Sequence, residues 1–177
     1  MEAKFSPRVK DVINFSREES LRLGNDYIGV EHLLLGLIRE GEGLGIRVLK
    51  EFNLDLDQIR QQIESYLTKS ASVTSKELTN IPLVKQAEKV LKITYLEAKL
   101  FKSPVIGTEH LLLSILKDEN NVACRTLNKY GIIYDNVKDE IEAMLEEDNP
   151  KAEFPGSGDG GDAGFAGGNP QSGGGRK

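Results

Sequence analysis

The residues with chemistry beyond packing are few, and they come in pairs. Gly29-Val30-Glu31-His32 returns as Gly107-Thr108-Glu109-His110, 78 positions later. A histidine beside a glutamate invites a zinc reading, but metal-binding helices place two ligands at i and i+4. Here the two histidines stand 78 positions apart and no cysteine pair accompanies them, so no metal site is expected. The paired carboxylates Glu31 and Glu109 invite a hydrolase reading. No further histidine is available as a base, no strand-turn-helix serine motif is present, and no Gly-x-x-x-x-Gly-Lys-Ser/Thr phosphate loop occurs. The chain by itself is therefore expected to be non-catalytic, with no catalytic residue and no cofactor of its own.

Two readings of the repeated tetrapeptide remain. In the structural one, Gly29 and Gly107 make a tight entry into a helix, Thr108 acts as its N-cap, and Glu31 and Glu109 favour the positive helix end. His32 and His110 are then satisfied, partly buried groups. In the functional one, the free N–H groups of a helix start hold an anion while the adjacent glutamate accepts a guanidinium fork. Two sites related by duplication would then take an arginine-like or phosphorylated group.

The elements that position these motifs follow from the repeat. The offset runs without a gap from Phe5/Leu83 to Leu67/Leu145, through Val12/Val90, Glu19/Glu97, Ile28/Ile106, Arg47/Arg125, Leu49/Leu127 and Ile63/Ile141. That is the mark of one unit written twice. Each unit reads as four helices. The first opens at Ser6-Pro7, a cap residue before a first-turn proline. Val9, Val12, Ile13, Ser16, Ser20 and Leu23 share a narrow face, matched by Ala87, Val90, Leu91, Thr94, Ala98 and Phe101. Its small residues predict a close approach that joins the two units through their first and neighbouring helices. The second helix, beginning at Glu31 and Glu109, carries leucine around most of its circumference and is expected at the centre of its unit. Gly41-Glu42-Gly43 breaks it. The third carries Ile46, Leu49 and Phe52, or Thr126, Leu127 and Tyr130; the fourth carries Leu56, Ile59, Ile63 and Leu67, or Val137, Ile141 and Leu145.

The expected fold is all-α: two tandem four-helix repeats packed with pseudo-twofold symmetry. Repeat one covers 5–67, a polar linker 68–81, and repeat two 82–145, together a domain over 1–147. A Gly-rich stretch over 148–177 has almost nothing to bury and reads as a flexible tail, of the kind that tethers one module to the next. The chain thus looks like a piece of a longer protein.

Composition narrows the partners. Net charge is −5 with both signs interspersed, so no basic stripe for nucleic acid is present. No apolar run approaches a membrane span, and Met1 to Arg8 lacks an apolar signal core, which points to the cytoplasm. The single cysteine, Cys124, lies in an apolar helical stretch and reads as a buried hydrophobe.

Phe5-Ser6-Pro7-Arg8, Glu18-Glu19, Leu23-Gly24, Tyr27 through Leu37, Arg39-Glu40-Gly41-Glu42-Gly43 and Ile106 through Leu113 together resemble the Clp N-terminal domain. This is the duplicated helical module at the head of ClpA/ClpC-type AAA+ protein unfoldases. The intact Arg-Glu-Gly-Glu-Gly loop is most similar to ClpC. The resemblance implies docking of adaptor proteins and of unfolded or marked substrates for an unfoldase that feeds a ClpP-type protease. ATP and magnesium would belong to ATPase modules outside this chain, and the isolated domain is expected to be a monomer. It also implies recognition of phosphoarginine, with Glu31, Glu109, Thr108, Gly29 and Gly107 as the matching positions. Two departures stand out: Val30 replaces the usual threonine, and Asp118-Glu119-Asn120-Asn121 stands where repeat one has Glu40-Gly41-Glu42-Gly43. The alternatives are a stand-alone helical adaptor or regulator that shares the module without ATPase domains, and, from a different class, an enzyme using the paired glutamates.

Overall fold

The computed structural model describes residues 4–69 and 81–148. Most of the expected linker, 70–80, and the expected tail beyond Asp148 lie outside the described residues. The elements run β1 (Lys4–Phe5), α1 (Pro7–Arg22), α2 (Val30–Glu40), α3 (Leu44–Glu51), α4 (Leu56–Lys69), α5 (Lys85–Leu100), β2 (Val105–Ile106), α6 (Thr108–Lys117), α7 (Val122–Asn128) and α8 (Tyr134–Asp148). The chain divides into two compact units, Met1–Ile141 and Glu142–Lys177, and the packing described below lies within the first.

Local signals set the boundaries. The Ser6 side chain accepts the Val9 N–H at 3.1 Å and Pro7 takes the first helical position, a cap worth about 1 kcal/mol. At the end of α2, Gly41 adopts φ +74°, the left-handed conformation in which glycine stops a helix without steric cost. Both leucine-rich helices are buried around most of their circumference. Leu33, Leu34, Leu35 and Leu37 of α2 and Leu111, Leu112, Leu113 and Ile115 of α6 are at most 1% exposed. Each such side chain contributes about 1.5–3 kcal/mol by leaving water.

The narrow face of small residues serves packing inside each repeat, α1 on α2 and α5 on α6, and not chiefly the joint between repeats. A Cβ on Gly36 would stand 2.5 Å from both the Ser16 hydroxyl and the Val12 carbonyl, so α1 and α2 approach to glycine distance. At the matching position of repeat two, the Ser114 hydroxyl donates to the Val90 carbonyl at 2.5 Å. Two of the hydroxyls buried along these faces are satisfied within their own helices, Ser16 donating to Val12 O and Thr94 to Val90 O, each at 2.7 Å, while Ser20 donates beyond α1 to the Tyr27 carbonyl at 2.6 Å.

The repeats are joined by reciprocal exchanges that define the pseudo-twofold. The β1 strand pairs in parallel with β2, Phe5 opposite Ile106, and Leu83 pairs in parallel with Ile28. The Ser6 N–H donates to Ile106 O at 2.9 Å, and its counterpart Val84 donates to Ile28 O at 3.0 Å. The segment leading into the first helix of each repeat thus lies along the other repeat. These short pairings were not expected from sequence. The seam continues where α3 lies on α6 and, reciprocally, α7 on α2; α2 and α6 also touch one another.

One polar contact in this seam breaks the symmetry for a reason. Helix α7 has its own cap: the Asn121 side chain accepts the Cys124 N–H at 2.6 Å. Helix α3 begins after Gly43, which has no side chain to offer. The Thr108 hydroxyl supplies it from the other repeat, accepting the buried Gly45 N–H at 3.0 Å. Gly43 has no room for a capping side chain, since a Cβ there meets Thr108 Oγ1 and stands 2.8 Å from Arg8 Cδ.

Candidate ligand clefts at the helix starts

Both Gly-x-Glu-His motifs form the same turn. Gly29 and Gly107 are the N-cap residues, in extended conformation at φ −104° and −100°. Their need for glycine is spatial. A Cβ on Gly29 would stand 2.5 Å from Glu31 Oε1, and one on Gly107 meets Glu109 Oε1. Each glutamate therefore folds back over the helix start and accepts its own backbone N–H. Burial pushes both carboxyls above the ordinary carboxylate range; the backbone hydrogen bond offsets this in both, and the Arg125 charge offsets it further at Glu31.

The histidines complete the turn. The Gly29 N–H donates to His32 Nδ1 and the Gly107 N–H to His110 Nδ1, each at 2.9 Å. This is the role that a Glu or Gln plays three residues into a capping box. With Nδ1 accepting, Nε2 carries the proton, and in His32 it donates to Asn25 Oδ1 at 2.9 Å. Burial lowers both rings to a pKa of about 4, so they are neutral at ordinary pH. His110 Nε2 lies 3.8 Å from Glu109 Oε2, a contact of a neutral ring and not an ion pair. Among the described residues no group of three or more His, Cys, Asp or Glu comes together to hold a metal ion.

Thr108 is the first helical residue of α6 and not its N-cap, which corrects the cap expected from sequence. Its hydroxyl accepts from α3 instead, as described above, and Thr108 is 3% exposed.

An open cleft of about 330 Å³ lies at the start of α6, lined by Ser6, Pro7, Arg8, Leu44, Gly107, Thr108 and Glu109. It brings three elements together: the first turns of α1, α3 and α6. Three of the five positions singled out from sequence line it. Gly29 and Glu31 do not; they form a separate constellation at the start of α2, where Val30 is fully buried and Arg125 reaches Glu31 electrostatically. Sequence reasoning missed Arg8 and Leu44 as cleft residues. Arg8 belongs to the Phe5-Ser6-Pro7-Arg8 motif, so its recurrence in the family resemblance was the available signal. Arg8 ion-pairs with Glu40 and, at 3.7 Å, with Glu42, which ties the loop between α2 and α3 to the rim. In repeat two the same positions make a neutral bond, Gln86 to the Asn120 carbonyl at 3.4 Å.

The cleft can do two things chemically. Glu109 offers a partly desolvated carboxylate to a guanidinium, and the positive end of α6 with the half-exposed Arg8 guanidinium offers positive charge to an anion.

A duplicated helical domain of this kind, with eight helices among the described residues, is shared with solved structures. The N-terminal domain of the caseinolytic protease associated chaperone ClpD from Arabidopsis thaliana superposes with a TM-score of 0.63 at 23% identity, over 80% of this chain and 94% of that one. The family model described as the Clp repeat (R) N-terminal domain matches residues 4–130 and again 97–158, and the chain belongs to that family. It is 32% identical to the chaperone protein ClpB of Oceanobacillus iheyensis over 152 residues, 86% of this chain and 18% of the relative. It is likewise 32% identical to the negative regulator of genetic competence ClpC/MecB of Bacillus subtilis over 145 residues, 82% of this chain and 17% of the relative. The chain thus spans less than a fifth of the length of these relatives.

Proposed function

We propose that this domain docks adaptor and substrate proteins for a ClpC-type AAA+ unfoldase that passes them to a ClpP-type protease in the cytoplasm. The observation that carries the reading is family membership combined with an open cleft at a helix start that holds both a carboxylate and a cation. The domain acts as a binding module and a monomer; ATP and magnesium act in ATPase modules of the whole protein.

The ligand that fits the α6 cleft is a phosphoarginine side chain. Its guanidinium pairs with Glu109 and its phosphoryl group faces Arg8 and the positive end of α6, with Gly107 and Thr108 as walls. Gly29, Val30 and Glu31 form the second, weaker site, where valine stands in place of threonine and Arg125 already neighbours the carboxylate. A bound guanidinium offsets the desolvation that burial imposes on either glutamate.

Calorimetric titration with free phosphoarginine tests this. Wild type binds, Glu109→Gln loses most of the affinity, and Glu31→Gln loses less; removing one hydrogen bond to a charged group costs about 1.5–3 kcal/mol. No binding at millimolar ligand, or equal binding by both variants and wild type, overturns the phosphoarginine assignment.

A further inference from the structure

The two repeats differ most plainly on the outer face of their first helices. In repeat one, the positions matching Leu96 and Leu100 are Glu18 and Arg22. They are closed by ion pairs: Glu18 with Arg39 at 2.8 Å, and Arg22 with Glu64 at 2.6 Å. In repeat two the face is apolar and open. Leu96 is 58% exposed and Leu100 60%. With Ile93 they sit at helical spacing i, i+3, i+7 along α5. An open groove of about 430 Å³ runs over them, lined by Ile93, Leu96, Glu97, Lys99, Leu100 and Lys117. The fold does not require this change, since repeat one builds the same helix with charges there. Large exposed aliphatic side chains gathered at one place mark an interaction site more often than single ones do.

The charge around the groove selects the partner. Lys89, Lys92 and Lys99 are exposed on α5, and none is ion-paired to a described residue. Lys117 is half exposed on α6 at the groove wall. Glu97, the carboxylate among the lining residues, is 1% exposed and already engaged, 3.4 Å from Lys117 Nζ and accepting the Tyr134 hydroxyl at 2.7 Å. Glu88 is the one exposed carboxylate of α5. This strip is therefore basic within a chain whose net charge is −5.

We propose that the α5 groove docks an acidic, amphipathic peptide segment of a partner protein. Its apolar side chains cover Ile93, Leu96 and Leu100, and its carboxylates lie over the exposed Lys92 and Lys99. The geometry is that of a partner helix laid against a helix-lined groove. The assignment rests on the docking function proposed above and names the chemistry of one class of partner. It is distinct in place and chemistry from the cleft at the start of α6.

The test uses the whole 177-residue chain, labelled with nitrogen-15, and two synthetic peptides with leucine at helical spacing. One carries glutamate at the remaining positions and the other lysine. The acidic peptide shifts the amides of α5 and of Lys117, and its binding weakens as salt rises. A Leu96→Ser, Leu100→Ser double variant binds it at least about tenfold more weakly. Lys92→Glu with Lys99→Glu, which reverses charge at exposed positions only, also weakens it while leaving the melting temperature unchanged. The proposal is overturned if the lysine peptide binds α5 as tightly, if the acidic peptide binds without shifting α5, or if the leucine variant binds like wild type. Phosphoarginine added to the same sample reports through the amides of Gly107, Thr108 and Glu109. A response there with α5 silent to the acidic peptide ends the groove proposal and leaves the phosphoarginine assignment standing; silence at both places ends both.

Discussion

Replacing Thr108 with valine isolates a cap that crosses between repeats. The Gly45 N–H is buried and its acceptor is the Thr108 hydroxyl at 3.0 Å. Valine keeps the volume and shape but removes the acceptor, and the backbone around Gly43 leaves no space for another. The loss of a helix cap costs about 0.5–2 kcal/mol, and a buried donor left without a partner costs about 1–3 kcal/mol. The two descriptions concern one group and are not summed, so the expected destabilisation is about 1–2 kcal/mol. At a urea m-value of about 2 kcal/mol/M, the unfolding midpoint falls by about 0.5–1 M. Thr108→Ser keeps the hydroxyl and separates its effect from that of the methyl group. Valine itself is tolerated in this turn, because Val30 occupies the matching position fully buried. If Thr108→Val unfolds within about 0.5 kcal/mol of wild type, the hydroxyl does not cap α3 and the explanation of the Thr108/Val30 asymmetry is wrong.

Two further outcomes follow from the packing and from the buried rings. Gly36→Ala forces a Cβ to within 2.5 Å of Ser16 Oγ and Val12 O, and is expected to destabilise by about 1–3 kcal/mol in thermal or urea unfolding; Ser114→Ala, which only loses a hydroxyl, costs less. His32 and His110 have folded pKa values of about 4 against the ordinary 6.5, so the unfolded chain binds more protons between these values and stability rises with pH across that window. Each ring withdraws on the order of 3 kcal/mol by the time pH has fallen through its folded value. Glu31 and Glu109 act in the opposite sense, because a raised carboxyl pKa withdraws stability as pH rises above 4.5 and through the folded value. Urea midpoints measured from pH 4 to 7 read the sum; His32→Gln and His110→Gln, which keep an acceptor at the third helical position, are expected to flatten the acid limb. An unchanged acid limb in both variants refutes the assignment of the slope to these rings.

The exchanged edges have a structural consequence for the duplication. Phe5 lies beside Ile106 and Leu83 beside Ile28, so neither repeat completes its own entry segment. The burial of α2 and α6 against each other adds to this. The two copies are therefore one folded core, and divergence between them shows where the core does not set the residue: Glu18 and Arg22 against Leu96 and Leu100, and Arg8 with Glu42 against Gln86 with Asn120.

From sequence alone, the duplication, the eight helices, the central place of the leucine-rich pair and the Gly-x-Glu-His turns were legible. All of these are written at short range: a period of 3.6 residues, a cap before a proline, a glycine at a helix end, and one pattern repeated at a fixed offset. The tertiary structure alone decided which face met what. The small-residue face, read as the joint between repeats, packs within each repeat because the α1–α2 approach at Gly36 uses it up. The parallel pairing of Lys4–Phe5 with Val105–Ile106 leaves no alternating pattern in two residues, and its partners are a hundred positions apart. Thr108 reads locally as a cap for its own helix; its hydroxyl serves α3 because only the folded seam brings a glycine-started helix beside it. Arg8 joins Glu109 in a cleft, and Leu96 and Leu100 stay uncovered, for the same reason: side-chain period tells which residues share a face, and only the assembled neighbours determine whether that face is filled.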